Sequence, residues 1–160
     1  MNSSVLLKKL LFLIIAFVVT TAHAQDKSAA IKSMLDKKRF VFKAQTVLPT
    51  SMALRHLTGD NYNLSVSGDS LVSYLPYFGR AYSAPSPGAN AGYNFTSKDF
   101  DYTTTTRKKG GWEVIIKPND VKDVREFSLI VTKSGNATLR ALSNNRQMIS
   151  YDGYLAETGK

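Results

Sequence analysis

Phe100-Asp101-Tyr102-Thr103-Thr104-Thr105-Thr106, then Arg107-Lys108-Lys109-Gly110-Gly111, then Trp112-Glu113-Val114-Ile115-Ile116-Lys117, is the clearest hairpin signature in the chain. Phe100, Tyr102 and Thr104 fall on one side of a two-residue repeat, and Trp112, Val114 and Ile116 repeat it after the glycine pair. A period of two with β-branched and aromatic residues is the pattern of a half-buried strand, and Gly-Gly between two such runs is a hairpin turn. Downstream, Phe127, Leu129 and Val131 continue the alternation, Ser134-Gly135-Asn136 turns the chain, and Leu139 lies on the inner face of the answering strand. Asn144-Asn145 then precedes a last strand that carries Ile149 and Tyr151.

Upstream the same alternation recurs. Tyr62, Leu64 and Val66 share a face, Gly68-Asp69 supplies a two-residue turn, and Ser70 to Leu75 answers. A first strand starts at Arg39, with Phe40, Phe42 and Ala44 on one side, and ends at Pro49, which has no amide proton to offer a ladder. One helix precedes it: Ile31, Met34 and Leu35 share a face opposite Lys32, Asp36 and Lys37, with Asp26 or Ser28 as its cap. The sequence thus predicts a mainly β protein, a meandering antiparallel sheet of about eight strands. Such a sheet buries one face by curling into a barrel-like form or folding into a sandwich, with one short N-terminal helix over an open end or face.

Residues 1–24 read as a cleaved leader. Lys8 and Lys9 precede an unbroken apolar run from Leu10 to Val19, and Ala22-His23-Ala24 places small residues where a signal peptidase cuts, before Gln25. The run is about half the roughly 20 residues that a membrane-spanning helix needs. The expectation is an exported protein, periplasmic or secreted, with residues 25–160 forming a single soluble β domain. The chain has no cysteine, so neither a disulfide nor a lipid-modified cysteine is available to it.

Of the 21 Lys and Arg, removal of Lys8 and Lys9 with the leader leaves 19 against 12 Asp and Glu, a formal charge of about +7. These basic residues are scattered along the chain and form no stripe with interleaved aromatics, so nucleic acid is not an expected partner. With one histidine after the leader and no cysteine, no spacing suits a transition metal, and no glycine loop suits a nucleotide phosphate, so no cofactor is expected.

Between Leu75 and Phe95 the alternation stops. Pro76-Tyr77-Phe78-Gly79-Arg80-Ala81-Tyr82 and the Pro/Gly/Ser segment after it form the one long irregular connection, and long loops in compact domains are often functional. Tyr74, Tyr77, Phe78 and Tyr82 offer flat faces for a sugar, Arg80 a planar donor fork, and Trp112 a further aromatic wall. These six are the candidate ligand-binding residues. The competing reading has Tyr74, Phe78 and Tyr93 closing the core, Arg80 paired with a carboxylate, and residues 76–92 as a flap. Ser150-Tyr151-Asp152-Gly153-Tyr154 is a second aromatic candidate.

Gly68-Asp69-Ser70-Leu71 spells the nucleophile block of a large hydrolase family, but its surroundings do not follow. His56 lies upstream of Ser70, no Asp-x-x-His occurs, and Gly68-Asp69 reads as a turn. Asp99 and Asp101 sit on alternate residues, the spacing of an acid/base pair on a strand and equally of two solvated charges beside a turn. No catalytic set is assigned.

Leu75-Pro76-Tyr77-Phe78-Gly79-Arg80-Ala81, with Gly111-Trp112, Ser143-Asn144-Asn145-Arg146-Gln147 and Ile149-Ser150-Tyr151-Asp152-Gly153, resembles an exported bacterial family known only as domain of unknown function 4251. The resemblance runs from Arg39 to Tyr154. It implies an envelope or secreted location and an all-β domain, and it brings no catalytic residues. The functional expectation is a non-enzymatic binding protein for a glycan or an amphiphilic, lipid-like small molecule. The alternative is a structural component of the envelope that docks a partner protein through a sheet edge or loop, and a hydrolase is third.

Overall fold

The computed structural model describes residues 27–59, 61–82 and 92–158. A helix over residues 27–36, α1, leads into ten strands. They are β1 (Arg39–Pro49), β2 (Arg55–His56), β3 (Asn63–Ser67), β4 (Ser70–Leu75), β5 (Tyr93–Ser97), β6 (Phe100–Thr106), β7 (Trp112–Pro118), β8 (Val124–Val131), β9 (Asn136–Ser143) and β10 (Ile149–Ala156). All pair antiparallel in one sheet of order β5-β4-β3-β1-β10-β9-β8-β7-β6, with β2 as a short flap on β1. The two edge strands are joined directly through Lys98 and Asp99, so the sheet curls into a nearly closed barrel-like form.

Three of the hairpins, β3–β4, β6–β7 and β8–β9, follow from glycine turns. Gly68, Gly110, Gly111 and Gly135 all take positive φ, which returns the chain without the steric cost a Cβ would bring. The seam between the halves of the barrel is the β1–β10 pair, in register from Val41↔Ala156 to Pro49↔Ile149. That register slips by one residue between Ala44 and Thr46, leaving Gln45 as a bulge. The slip resets the inward face: Phe40, Phe42 and Ala44 point into the core before it, Val47 and Pro49 after it. Opposite the bulge, Gly153 lets β1 approach closely, since a Cβ there would sit 1.9 Å from the Lys43 carbonyl oxygen.

Inward side chains fill the barrel. Phe40, Phe42, Phe127 and Tyr151 are fully buried, together with leucines from β3, β4, β8 and β9. Each such side chain contributes about 1.5–3 kcal/mol through burial. Phe95 stacks on Phe127 at 6.0 Å, and Tyr93 meets the same ring edge-on at 6.0 Å. Helix α1 closes the lower end, where Ile31 and Leu35, one turn apart, enter the core. The Tyr102 hydroxyl donates to the Leu35 carbonyl (2.9 Å), and Lys38, at φ +52° just past the helix, accepts from the Gly68 amide through its own carbonyl (2.8 Å). Asp120 fastens the β5–β6 corner, accepting from the buried Ser97 hydroxyl (2.5 Å) and the Lys98 amide (3.0 Å). Those two bonds hold its exposed carboxyl below the ordinary carboxylate range.

The helix, the hairpins and the mainly β architecture are as the sequence indicates. Two strands are additional. β5 begins inside the stretch read as irregular, and β2 is a two-residue exposed flap without a periodic signal. The leader (1–24), Asp26 as a helix cap, and most of the 76–92 flap, residues 83–91, lie outside the described residues. Because the β1–β10 seam needs backbone contact at Gly153, Gly153→Ala should cost at least about 2 kcal/mol. The check is urea denaturation, with a lowered midpoint expected.

Candidate functional site

Of the candidate aromatic residues, Tyr74, Tyr77, Phe78 and Tyr82 lie at or near the upper end of the barrel, away from α1. There β4 runs out at Leu75 and the chain docks on the β9–β10 connection. The Tyr82 amide donates to the Asn145 carbonyl (2.8 Å), the Gln147 amide to the Arg80 carbonyl (2.9 Å), and Ala81 pairs with Arg146 as an isolated bridge. Tyr77 folds back over this latch and shares its hydroxyl proton between the Arg80 and Gln147 carbonyls, at 2.7 and 2.9 Å. Gly79 is the residue beneath the ring: a Cβ there would lie 2.5 Å from the Tyr77 hydroxyl and 2.7 Å from its ring carbon. The Tyr-Phe-Gly-Arg order is thus a local packing unit in which the aromatic needs the glycine.

Behind the latch sits Arg146, its side chain only 14% exposed. Its guanidinium pairs with Asp123 at 2.9 Å and lies 5.2 Å from the centres of both the Tyr77 and Tyr93 rings, which themselves meet edge-on at 5.7 Å. The charge is compensated by a carboxylate and by two ring faces, the arrangement a part-buried arginine requires. The Tyr151 hydroxyl closes the floor by donating to the Pro76 carbonyl (2.7 Å). The Tyr93 hydroxyl is buried and makes no hydrogen bond among the described residues. Burial, with the Tyr77 phenol near both and the Tyr93 phenol near Tyr151, pushes the phenols of Tyr93 and Tyr151 well above their ordinary value of 10.0. Burial raises Tyr77 as well, against the Arg146 charge that pulls it down.

The six candidate residues are therefore divided. Tyr77 and Phe78 are half-buried against the core, and Arg55 covers the Phe78 ring at 5.0 Å. Arg80 and Tyr82 are exposed, Tyr82 at 73%. Tyr74 projects outward from β4, 48% exposed, and stacks on Tyr62 at 5.9 Å. Trp112 is not brought to the others. It is buried opposite Val131, at the far end of β8 from Asp123, about 25 Å away at ~3.3 Å per residue. Sequence reasoning did not single out Arg146, Asp123 or Tyr62. Tyr151 belonged to the second aromatic candidate, and the structure makes it part of the first.

His56 and Ser70 are also kept apart. His56 pairs with Thr46, whereas Ser70 lies opposite Ser67, itself opposite Arg39, so the length of β1 separates them by about 20 Å. Asp99 sits in the β5–β6 corner and accepts from the Asn119 side chain (3.0 Å). Among the described residues no three His, Asp or Glu side chains gather as metal ligands, and no helix is long and apolar enough to cross a membrane.

A second feature becomes visible only with the register. Asn94, Tyr74, Asn63, Lys43, Tyr154 and Asn136 are consecutive cross-strand partners on β5, β4, β3, β1, β10 and β9. All six point away from the core, because their chain neighbours point in. At ~4.8 Å per strand this outward row runs for about 24 Å. It alternates amides, two tyrosines and one ammonium, with Tyr62 backing Tyr74.

The family model for a domain of unknown function, DUF4251, matches residues 22–155. The chain belongs to the DUF4251 family. The crystal structure of a DUF4251 family protein from Bacteroides eggerthii DSM 20697 superposes with a TM-score of 0.59 at 20% identity, covering 85% of this chain and 89% of that one. At that identity the likeness speaks for the fold. No curated protein matches this DUF4251 chain.

The buried phenols set an alkaline limit. Burial raises Tyr102 to about 12, and Tyr77, Tyr93 and Tyr151 are raised too, while in the unfolded chain each ionises near 10.0. From pH 10 upward the unfolded state loses these protons first, so stability present below pH 10 falls as pH rises toward and through 12. Tyrosinate absorbance should show four of the eight tyrosines ionising late, together with unfolding. Eight phenols titrating together near pH 10 in the folded protein would contradict the buried cluster.

Proposed function

We propose that this DUF4251 domain is an exported, non-enzymatic binding module of the bacterial envelope, and that its ligand is a glycan held on the outward row. The carrying observation is the row itself. Tyr154 and the face of Tyr74 that Tyr62 leaves uncovered are rings on which sugar C–H groups stack, and Asn94 and Asn136 offer paired donors and acceptors beside them, with Asn63, whose amide nitrogen already donates to the Asn61 carbonyl, between. The amphiphile reading has less support, since the inner face is filled by the protein's own aromatic side chains.

Export rests on the basic, apolar and small-residue order of the first 24 residues. N-terminal sequencing of protein purified from its host should begin at Gln25, and an intact Met1 in the mature pool would overturn that reading.

A second reading keeps one observation in its favour. β6 is hydrogen-bonded on one side only among the described strands, with Asp101, Thr103 and Thr105 exposed along it, so a partner strand has somewhere to add. Native-gel retardation by soluble glucan, mannan or galactan discriminates the two. Glycan binding predicts retardation that Tyr74→Ala and Tyr154→Ala each weaken about fivefold to tenfold without lowering the melting temperature, as removal of a stacking ring would. Mobility unchanged by all three polysaccharides would remove the glycan reading, and self-association by light scattering would then favour the edge.

A further inference from the structure

The bulge that resets β1 also leaves a depression on the outer wall. Gln45, pushed out of the ladder, lines it with Thr46, Asp152 and Thr138, and Gly153 and Ile130 also form its wall, enclosing about 420 Å³. Asn136, the last member of the outward row, lines the same groove, so the row leads into it. We infer that this groove is a subsite for one ring of a neutral saccharide. The inference rests on the glycan reading above and deepens it.

Asp152 accepts from the Thr138 hydroxyl (2.6 Å), and no Lys or Arg pairs with it among the described residues. The side-chain amides of Gln45 and Asn136 likewise have no protein partner among the described residues. A carboxylate only accepts, so its ligand must bring donors, and two neighbouring sugar hydroxyls satisfy a carboxylate with charge-assisted bonds. The amides then serve the remaining hydroxyls in either sense, and Ile130 gives an apolar surface for the ring. No lysine or arginine lines the groove, although the chain as a whole has a formal charge of +9. An anionic ligand would therefore meet Asp152 with no cation in the groove wall itself to offset the repulsion, whereas a neutral sugar meets none.

The test is amide shift mapping on the full domain with four probes: neutral gluco-, manno- and galacto-oligosaccharides, and an oligogalacturonate. At least one neutral probe should shift the amides of Thr46, Thr138 and Asp152, and the oligogalacturonate should not. Asp152→Ala should weaken that binding about tenfold or more and Asp152→Asn by less, the unshifted remainder of the spectrum reporting an intact fold. Silence of these three amides with every neutral probe overturns the subsite, as does equal binding of the oligogalacturonate. Binding that survives Asp152→Ala but is lost in Tyr74→Ala also overturns the subsite, while the outward row stands.

Discussion

The β1–β10 seam is the constraint on which everything else depends. Apart from β1–β3, with the β2 flap between them, every other main ladder joins strands that are neighbours in sequence, and those meanders could form from local hairpins alone. Only the seam joins the first long strand to the last, and it carries eight residue pairs. Without it the chain would be two curved half-sheets, each with an apolar face open to water. Seam formation buries Phe40 and Phe42 against side chains from the far half, so the hydrophobic gain and the loop-closure cost arrive together. The bulge at Gln45 and the bare backbone at Gly153 are the local terms on which that closure is possible.

At the upper end a different economy operates. A part-buried guanidinium is costly unless its charge is answered, and here one carboxylate and two ring faces answer it. Arg146 then fixes the chain on both sides of itself: the Ala81 bridge ties the segment after β4 to the β9–β10 connection. The Leu-Pro-Tyr-Phe-Gly-Arg-Ala run is accordingly structural through Tyr77 and Gly79 and presents Arg80 to solvent, with Tyr82 exposed just after it.

Three hairpins are legible because each carries its own information: alternation on both arms and a glycine where φ turns positive, at Gly68, Gly110 and Gly135. β5 was not, because it offers five residues in which the inward positions are Tyr93, Phe95 and a serine. Ser97 is buried for its bond to Asp120, a reason no hydropathy pattern contains. The bulge does leave a trace, since the buried residues of β1 change parity between Ala44 and Val47. Strand order does not, being decided at the seam by contacts between residues a hundred or more apart. For the same reason Trp112 was grouped with aromatics at the wrong end of the barrel. Arg146 enters the sequence reading only within the Ser143–Gln147 run of the family resemblance, with no role of its own, because nothing local marks its partners Asp123, Tyr77 and Tyr93. The outward row was invisible as well: its six members come from six strands, and only register lines them up.

The antiparallel sense of the seam has a mechanical consequence. β1 begins and β10 ends at the same end of the barrel, with Val41 beside Ala156. Tension applied through the two ends of the domain would load the ladder one rung at a time, from that pair inward, instead of shearing all rungs together. A domain strung between two attachment points would open like a zipper under modest force. Held by one end, it would feel no such load.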